Sequence, residues 1–254
     1  MFSFLAGIII AAGAFEQSYQ NYTFNYDQYR QSHRDYVITR QAYLSYLTLT
    51  AKSEAQNKTL LLLEERDETL KSYLAALKDK INESEGLSTQ EKAGYTSQLE
   101  NEIIWYEDHH NRLPSAGTLE DLVDSSNEVR EHYRNTEILM YQVLTAVLSG
   151  KENFWRNRVI DQVLAIKSNL ARIKQEGGKD IDKVERWVLE AENRITRSQE
   201  KQQKANEKMA EMNNSSNRNE IYNQSQFALT ESHQYLKEAN SYLRELIREI
   251  KTAD

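Results

Sequence analysis

Phe15, Tyr19, Tyr22, Tyr26, Tyr29, His33, Tyr36, Arg40, Tyr43 and Leu47 follow one another at gaps alternating between four and three residues. At 3.6 residues per turn, such spacing puts all ten side chains on one stripe of an α-helix. The pattern predicts a long first helix running to about Thr50, its ring-bearing flank covered by neighbouring helices. Tyrosine supplies six of the ten positions. Its ring is a large apolar body with a hydroxyl that needs a partner when buried, and it is also a favoured anchor at protein interfaces. Tyr19, Tyr22, Tyr26, Tyr29, Tyr36 and Tyr43 are therefore the candidate interaction face, in a row that Arg40 and His33 keep from being uniformly dry.

The rest of the chain keeps the same grain. Apolar residues recur at Leu60, Leu63, Leu70, Leu74, Leu77 and Ile81, with Glu54/Lys58 and Asp67/Lys71 as supporting pairs four residues apart. A bend is expected near 50–56, and Gly86 is a left-handed stop. Ser88-Thr-Gln-Glu91 reads as a capping box opening a third helix through Leu99, Ile103, Tyr106, His110 and Leu113. Pro114 and Gly117 break it, and Thr118 with Asp121 restarts a helix that reaches the apolar run 138–148. Ser149-Gly150 either interrupts or bends that helix before the stripe Trp155, Val159, Val163, Ile166 and Leu170. Gly177-Gly178 ends it. Asp180 caps a further helix through Val184, Trp187, Val188, Ala191 and Ile195, whose polar continuation at 197–208 is expected to project or pack weakly. A last helix, about 218–251, carries Tyr222, Leu229, Leu236, Leu243, Leu246 and Ile250.

One proline and eight glycines in 254 residues are too few turn formers for a β or α/β domain of this size. The expected fold is all-α, an elongated bundle of six or seven long antiparallel helices with coiled-coil-like packing. Residues 15–112 would form an N-terminal hairpin or three-helix region. Residues 118–254 would form a C-terminal bundle region, free to pack with the first as one domain.

Residues 1–14 stand apart. Phe2 to Phe15 carries no charge, is shorter than the ~20 apolar residues a spanning helix needs, and ends in a small-residue Ala12-Gly13-Ala14 pattern. It reads as an export signal cleaved after Ala14 or as a membrane anchor, and membrane contact is expected only through residues 2–15. A basic leader region is missing.

Net charge is −7, but Asn82–Glu131 alone carries −9: twelve acidic side chains against Lys92, Arg112 and Arg130. No Lys/Arg stripe offers the counterion release that nucleic-acid binding requires, so nucleic acid is not an expected partner. The absence of cysteine excludes thiolate metal sites, thiol catalysis and disulfides.

Candidate chemistry is thin. Glu107 and His110 form one Glu-x-x-His, the spacing that sets a carboxylate and an imidazole on one helix face. Dimetal carboxylate bundles use two copies, and the second is missing here; Glu128 and His132 are four apart. Glycine-rich phosphate loops and the G-x-S-x-G nucleophile motif are absent from the sequence. No cofactor is expected. The reading is a non-catalytic helical-bundle scaffold or interaction protein, exported or envelope-associated, acting through helix pairing with a protein partner or with itself. The alternatives are a metal-binding enzyme in the bundle core and a membrane-active helical toxin, the latter suggested by 138–148.

Overall fold

The computed structural model of the chain describes residues 13–175 and 182–252. The fold is all-α, with six helices among the described residues: α1 Ala14–Tyr46, α2 Leu49–Glu83, α3 Thr89–Arg112, α4 Leu119–Gln175, α5 Asp182–Ala210 and α6 Arg218–Thr252. Single 3-10 turns occupy Leu113–Ser115 and Met212–Asn214, and no strand occurs among the described residues. The described residues divide into two compact units: one takes in those through Glu83 together with Gln90–Met140, the other Ser84–Thr89 and those from Tyr141 on. Helix α4 contributes to both. The readings of 1–12, of the Gly177-Gly178 stop and of the Asp180 cap lie outside the described residues.

In the first unit consecutive helices run antiparallel, as the cross-helix bonds show: Lys58 to Asp35, Lys71 to Glu107, and Tyr106 to Thr136. Helix α1 ends at Leu47, whose φ of 52° is left-handed and whose N–H bonds the Tyr43 carbonyl at 2.9 Å. The break falls just before the expected 50–56 because Thr48 is an N-cap, its Oγ1 accepting the Ala51 N–H at 3.2 Å. Thr118 and Asp121 close a reciprocal capping box at the start of α4. The Thr118 N–H donates to Asp121 Oδ2 at 2.8 Å, and the Asp121 N–H donates to Thr118 Oγ1 at 3.1 Å.

The seam between α1 and α2 is not the one the ring spacing predicts. Ser18, Asn25 and Ser32 recur every seven residues on a flank beside the rings. The Ser18 hydroxyl donates to Asp79, Thr69 Oγ1 donates to the Asn25 carbonyl at 3.1 Å, and Ser32 is the buried residue of α1. Small side chains let two helix backbones approach, whereas a row of phenol rings holds them apart. The tyrosines are thus displaced to the margin of the seam. Tyr19 and Tyr26 remain 46% and 42% exposed, and Tyr22, Tyr29, Tyr36 and Tyr43 are half-buried. The core of this unit is built instead from Leu63, Leu74, Leu77, Ile81, Leu99, Tyr106, Leu113 and Leu122. Each contributes roughly 1.5–3 kcal/mol by leaving water.

In the second unit α4 continues unbroken through Ser149-Gly150. Gly150 is a point of close approach: a Cβ there would lie 2.7 Å from Leu87 Cγ and 2.9 Å from the Glu85 carbonyl oxygen. Val184, Val188, Ala191, Ile195, Ser198, Gln202, Ala205 and Met209 on α5 are all buried at alternating gaps of four and three. The expectation that 197–208 packs weakly is therefore corrected. Its inward residues are small or polar, and α6 meets them in kind. Ser232 Oγ donates to the Ser198 carbonyl at 2.9 Å, and Ser225 Oγ donates to the Ala205 carbonyl at 3.1 Å.

A polar layer with Glu152, Arg156, Ser198 and Ser232 separates an apolar cluster around Val163, Val188 and Leu243 from a smaller one at Ala205, Ala228 and Leu229. Trp155, expected on the inward stripe, is 41% exposed because Glu152 and Arg156 take the inward positions at that level. Of the run 138–148, Leu139, Met140, Val143 and Thr145 are buried. No helix of the described residues is long and apolar enough to cross a membrane.

Candidate functional site

The rings from Phe15 to Tyr36 form an unbroken row along α1. Successive centroids lie 5.7 Å apart for Phe15–Tyr19, 5.8 Å for Tyr19–Tyr22, 6.0 Å for Tyr22–Tyr26 and 6.5 Å for Tyr26–Tyr29, and the row continues through His33. These are ordinary distances for favourable ring contact. Tyr22 also meets Tyr73 of α2 at 4.9 Å. Since small residues carry the α1–α2 seam, the middle of the row borders an open groove of about 470 Å³. Tyr22, Tyr26 and Tyr29 line it from α1, Arg66 and Tyr73 from α2, and Arg130 and Tyr133 from α4; Leu70, Val129 and Met140 supply apolar surface. Of the candidate interaction face, Tyr19, Tyr36 and Tyr43 lie outside this groove.

The electrostatics of the groove differ from those of the chain around it. No acidic side chain is among its described lining residues. Arg66 donates from Nε to Asp67 Oδ1 and from Nη1 to Ser126 Oγ, both at 3.3 Å, while its buried Nη2 has no hydrogen-bond partner among the described residues. A buried donor left without an acceptor costs about 1–3 kcal/mol. Burial pushes the Tyr22 phenol up from its ordinary pKa, and the neighbouring Tyr26 and Tyr19 add to the effect.

Next to Arg66 in the sequence is Asp67, read from the sequence as a supporting partner for Lys71 four residues on. It is fully buried. Asp67 Oδ2 lies 2.5 Å from His109 Nδ1, and His109 Nε2 lies 3.2 Å from the Ser125 carbonyl oxygen. With Asp67 ionised both partners are acceptors, so the ring satisfies both only with a proton on each nitrogen. An Asp–His pair that serves catalysis keeps the far nitrogen free for substrate. Here it is occupied. Trp105 stacks on His109 at 5.5 Å and on His132 at 3.6 Å. A second chain of bonds completes the network. Tyr106 OH meets Thr136 Oγ1 at 3.1 Å, Thr136 donates to Glu102 Oε2 at 2.5 Å, and His132 Nε2 lies 2.9 Å from the same oxygen. Burial raises the Tyr106 phenol far above its ordinary pKa.

The Asp67–His109 pair was missed, though the sequence carries a trace of it. Between Leu63 and Leu70 the apolar stripe of α2 skips one position, and Asp67 fills it at the four–three spacing. The inward histidine of α3 is His109, not its neighbour His110.

The Glu107–His110 motif is drawn into other contacts. Glu107 is ion-paired with Lys71, which holds its carboxyl below the ordinary range. His110 Nδ1 has no hydrogen-bond partner among the described residues. Glu128 pairs with Arg112 at 2.8 Å. Among the described residues no three His, Asp or Glu side chains are grouped to hold a metal ion. Comparison with protein-family models, curated proteins and solved structures finds no match to this chain.

Proposed function

We propose that this chain is a non-catalytic binding module whose recognition surface is the tyrosine row of α1, and that it works exported or at the cell envelope. The observation that carries the first part is the displacement of the row from the seam. Small polar residues hold α1 to α2, so seven rings in mutual contact are left half-open at the surface rather than spent on the core. Rigid amphipathic rings give contact area at little entropic cost, which is why tyrosine recurs at binding surfaces. Benzoylphenylalanine placed at Tyr19 or Tyr36, outside the groove, and photoactivated in the native cell is expected to cross-link to a protein partner or a second copy. The same group at Phe227, an exposed position on α6, is the control. Equal or absent cross-linking at the α1 positions removes the reading.

The second part leans on the uncharged segment Phe2–Phe15 and on the place where its cleavage would fall. The Phe15 N–H donates to Glu83 Oε1 at 3.0 Å, and the Lys80 ammonium lies 4.4 Å from the Phe15 ring centroid. Cleavage after Ala14 would turn that amide into an α-ammonium facing a carboxylate, exchanging a hydrogen bond for an ion pair. N-terminal sequencing of the protein from its own cell is expected to begin at Phe15. An intact Met1 on a soluble cytoplasmic protein contradicts export.

A further inference from the structure

We propose that the groove between α1, α2 and α4 of the first unit binds a small organic anion that carries a flat ring, the ring lying against the tyrosines and the anionic group meeting Arg66 and Arg130. The inference rests on the reading of the tyrosine row as a recognition surface and names what its central part takes.

Size decides for a small molecule over a partner's helix. A volume of about 470 Å³ falls within the roughly 300–1,000 Å³ of small-ligand pockets. The need for a ring follows from Tyr22, Tyr26, Tyr29, Tyr73 and Tyr133, five of the eleven lining residues, whose rings suit contact with another ring.

Charge decides the sign of the ligand. Asn82–Glu131 is the most acidic stretch of the chain and contains three basic residues. Lys92 is bonded to the Asn82 carbonyl and Arg112 is paired with Glu128. Arg130, exposed at the groove, forms neither an ion pair nor a hydrogen bond among the described residues. Arg66, on the facing helix, keeps a buried guanidinium nitrogen without an acceptor. Two guanidiniums therefore border a groove with no carboxylate among its described lining residues, in a protein of net charge −7. Guanidinium groups recognise carboxylate, sulfate and phosphate through paired N–H donors. A neutral ring would leave the Arg66 donor unanswered.

The test uses the full chain and two probes with the same ring system: anilinonaphthalene sulfonate and its uncharged parent, phenylnaphthylamine. Titration by fluorescence and calorimetry is expected to give one sulfonate probe per chain. The parent should bind about tenfold or more weakly, the factor lost with a charge-assisted contact. Arg130→Gln, at an exposed position, should weaken the sulfonate several-fold and leave the parent unchanged. Tyr26→Ser should weaken both probes, with circular dichroism melts confirming that both variants fold. Equal affinity for the two probes, or indifference to Arg130→Gln, overturns the anion assignment; if Tyr26→Ser still weakens both, the recognition surface itself survives. Indifference of both probes to Tyr26→Ser removes the groove as their site and the inference with it, while the cross-linking result stands or falls separately.

Discussion

Asp67→Ala is expected to lower the stability of the first unit by about 3–5 kcal/mol, the usual cost of removing one partner from a buried ion pair. The carboxyl is fully buried and bonds two neighbours, His109 at 2.5 Å and Arg66 at 3.3 Å. Without it, the His109 ring, 1% exposed, and the Arg66 Nε–H both lose their acceptor inside the core. For a unit of this size such a loss moves the midpoint of thermal unfolding down by roughly 10–20 °C. Asp67→Asn keeps the shape and one acceptor oxygen and should cost less. Combining Asp67→Leu with His109→Leu should recover part of the loss, because a matched apolar pair leaves neither of those two positions with an unpaired polar group, while Arg66 keeps its bond to Ser126 Oγ. Differential scanning calorimetry of the four proteins measures all of this. An Asp67→Ala protein that melts within a degree or two of the parent would show that the pair contributes little.

Gly86→Ala comes next in size. Gly86 has φ of 76°, the left-handed region where a Cβ costs about 1–2 kcal/mol. Space is the larger obstacle. A Cβ there would run into the Gly150 carbonyl oxygen and sit 2.8 Å from the Phe154 nitrogen, both backbone atoms of α4. Backbone cannot swing away as a side chain does, so overpacking adds about 1–3 kcal/mol. The expected total is about 2–5 kcal/mol. Gly94 provides the contrast. It lies on the exposed side of α3, and a Cβ there meets nothing within 4 Å. Gly94→Ala should stabilise the protein by about 0.5–1 kcal/mol through helix propensity alone. Chemical denaturation of the two variants should move in opposite directions. Similar small effects from both would mean that the loop around Gly86 moves off α4 at little cost.

The two glycines also show how far the sequence could be read. Gly86 was legible as a left-handed stop because that role is local, fixed by one residue's backbone. Gly150 was not. Read alone it weakens a helix, yet α4 passes through it intact because its bare backbone faces the segment around Glu85 and Leu87. Thr118 and Asp121 were legible as a helix start for the same local reason, whereas the first helix was expected to run to about Thr50, past the Thr48 that caps α2. In the candidate site, the tyrosine row was fully visible as a row. What the spacing could not say was which flank of α1 would turn inward, since a stripe of rings and a stripe of Ser18, Asn25 and Ser32 are both regular. Arg66, Arg130, Tyr73 and Tyr133 come to the groove from helices far away in sequence, and no local pattern marks them.

Helicity, the places where helices start and stop, and the four–three stripes belong to the sequence by itself, because they depend on hydrogen bonds and side-chain spacing within a few turns of one chain segment. The tertiary structure decided the rest: small polar residues as the α1–α2 seam, Asp67 against His109, and the polar residues of 197–208 packed against α6. The distance between two helices depends on the side chains of both, so a pattern on one of them has no fixed inside until its neighbour is in place.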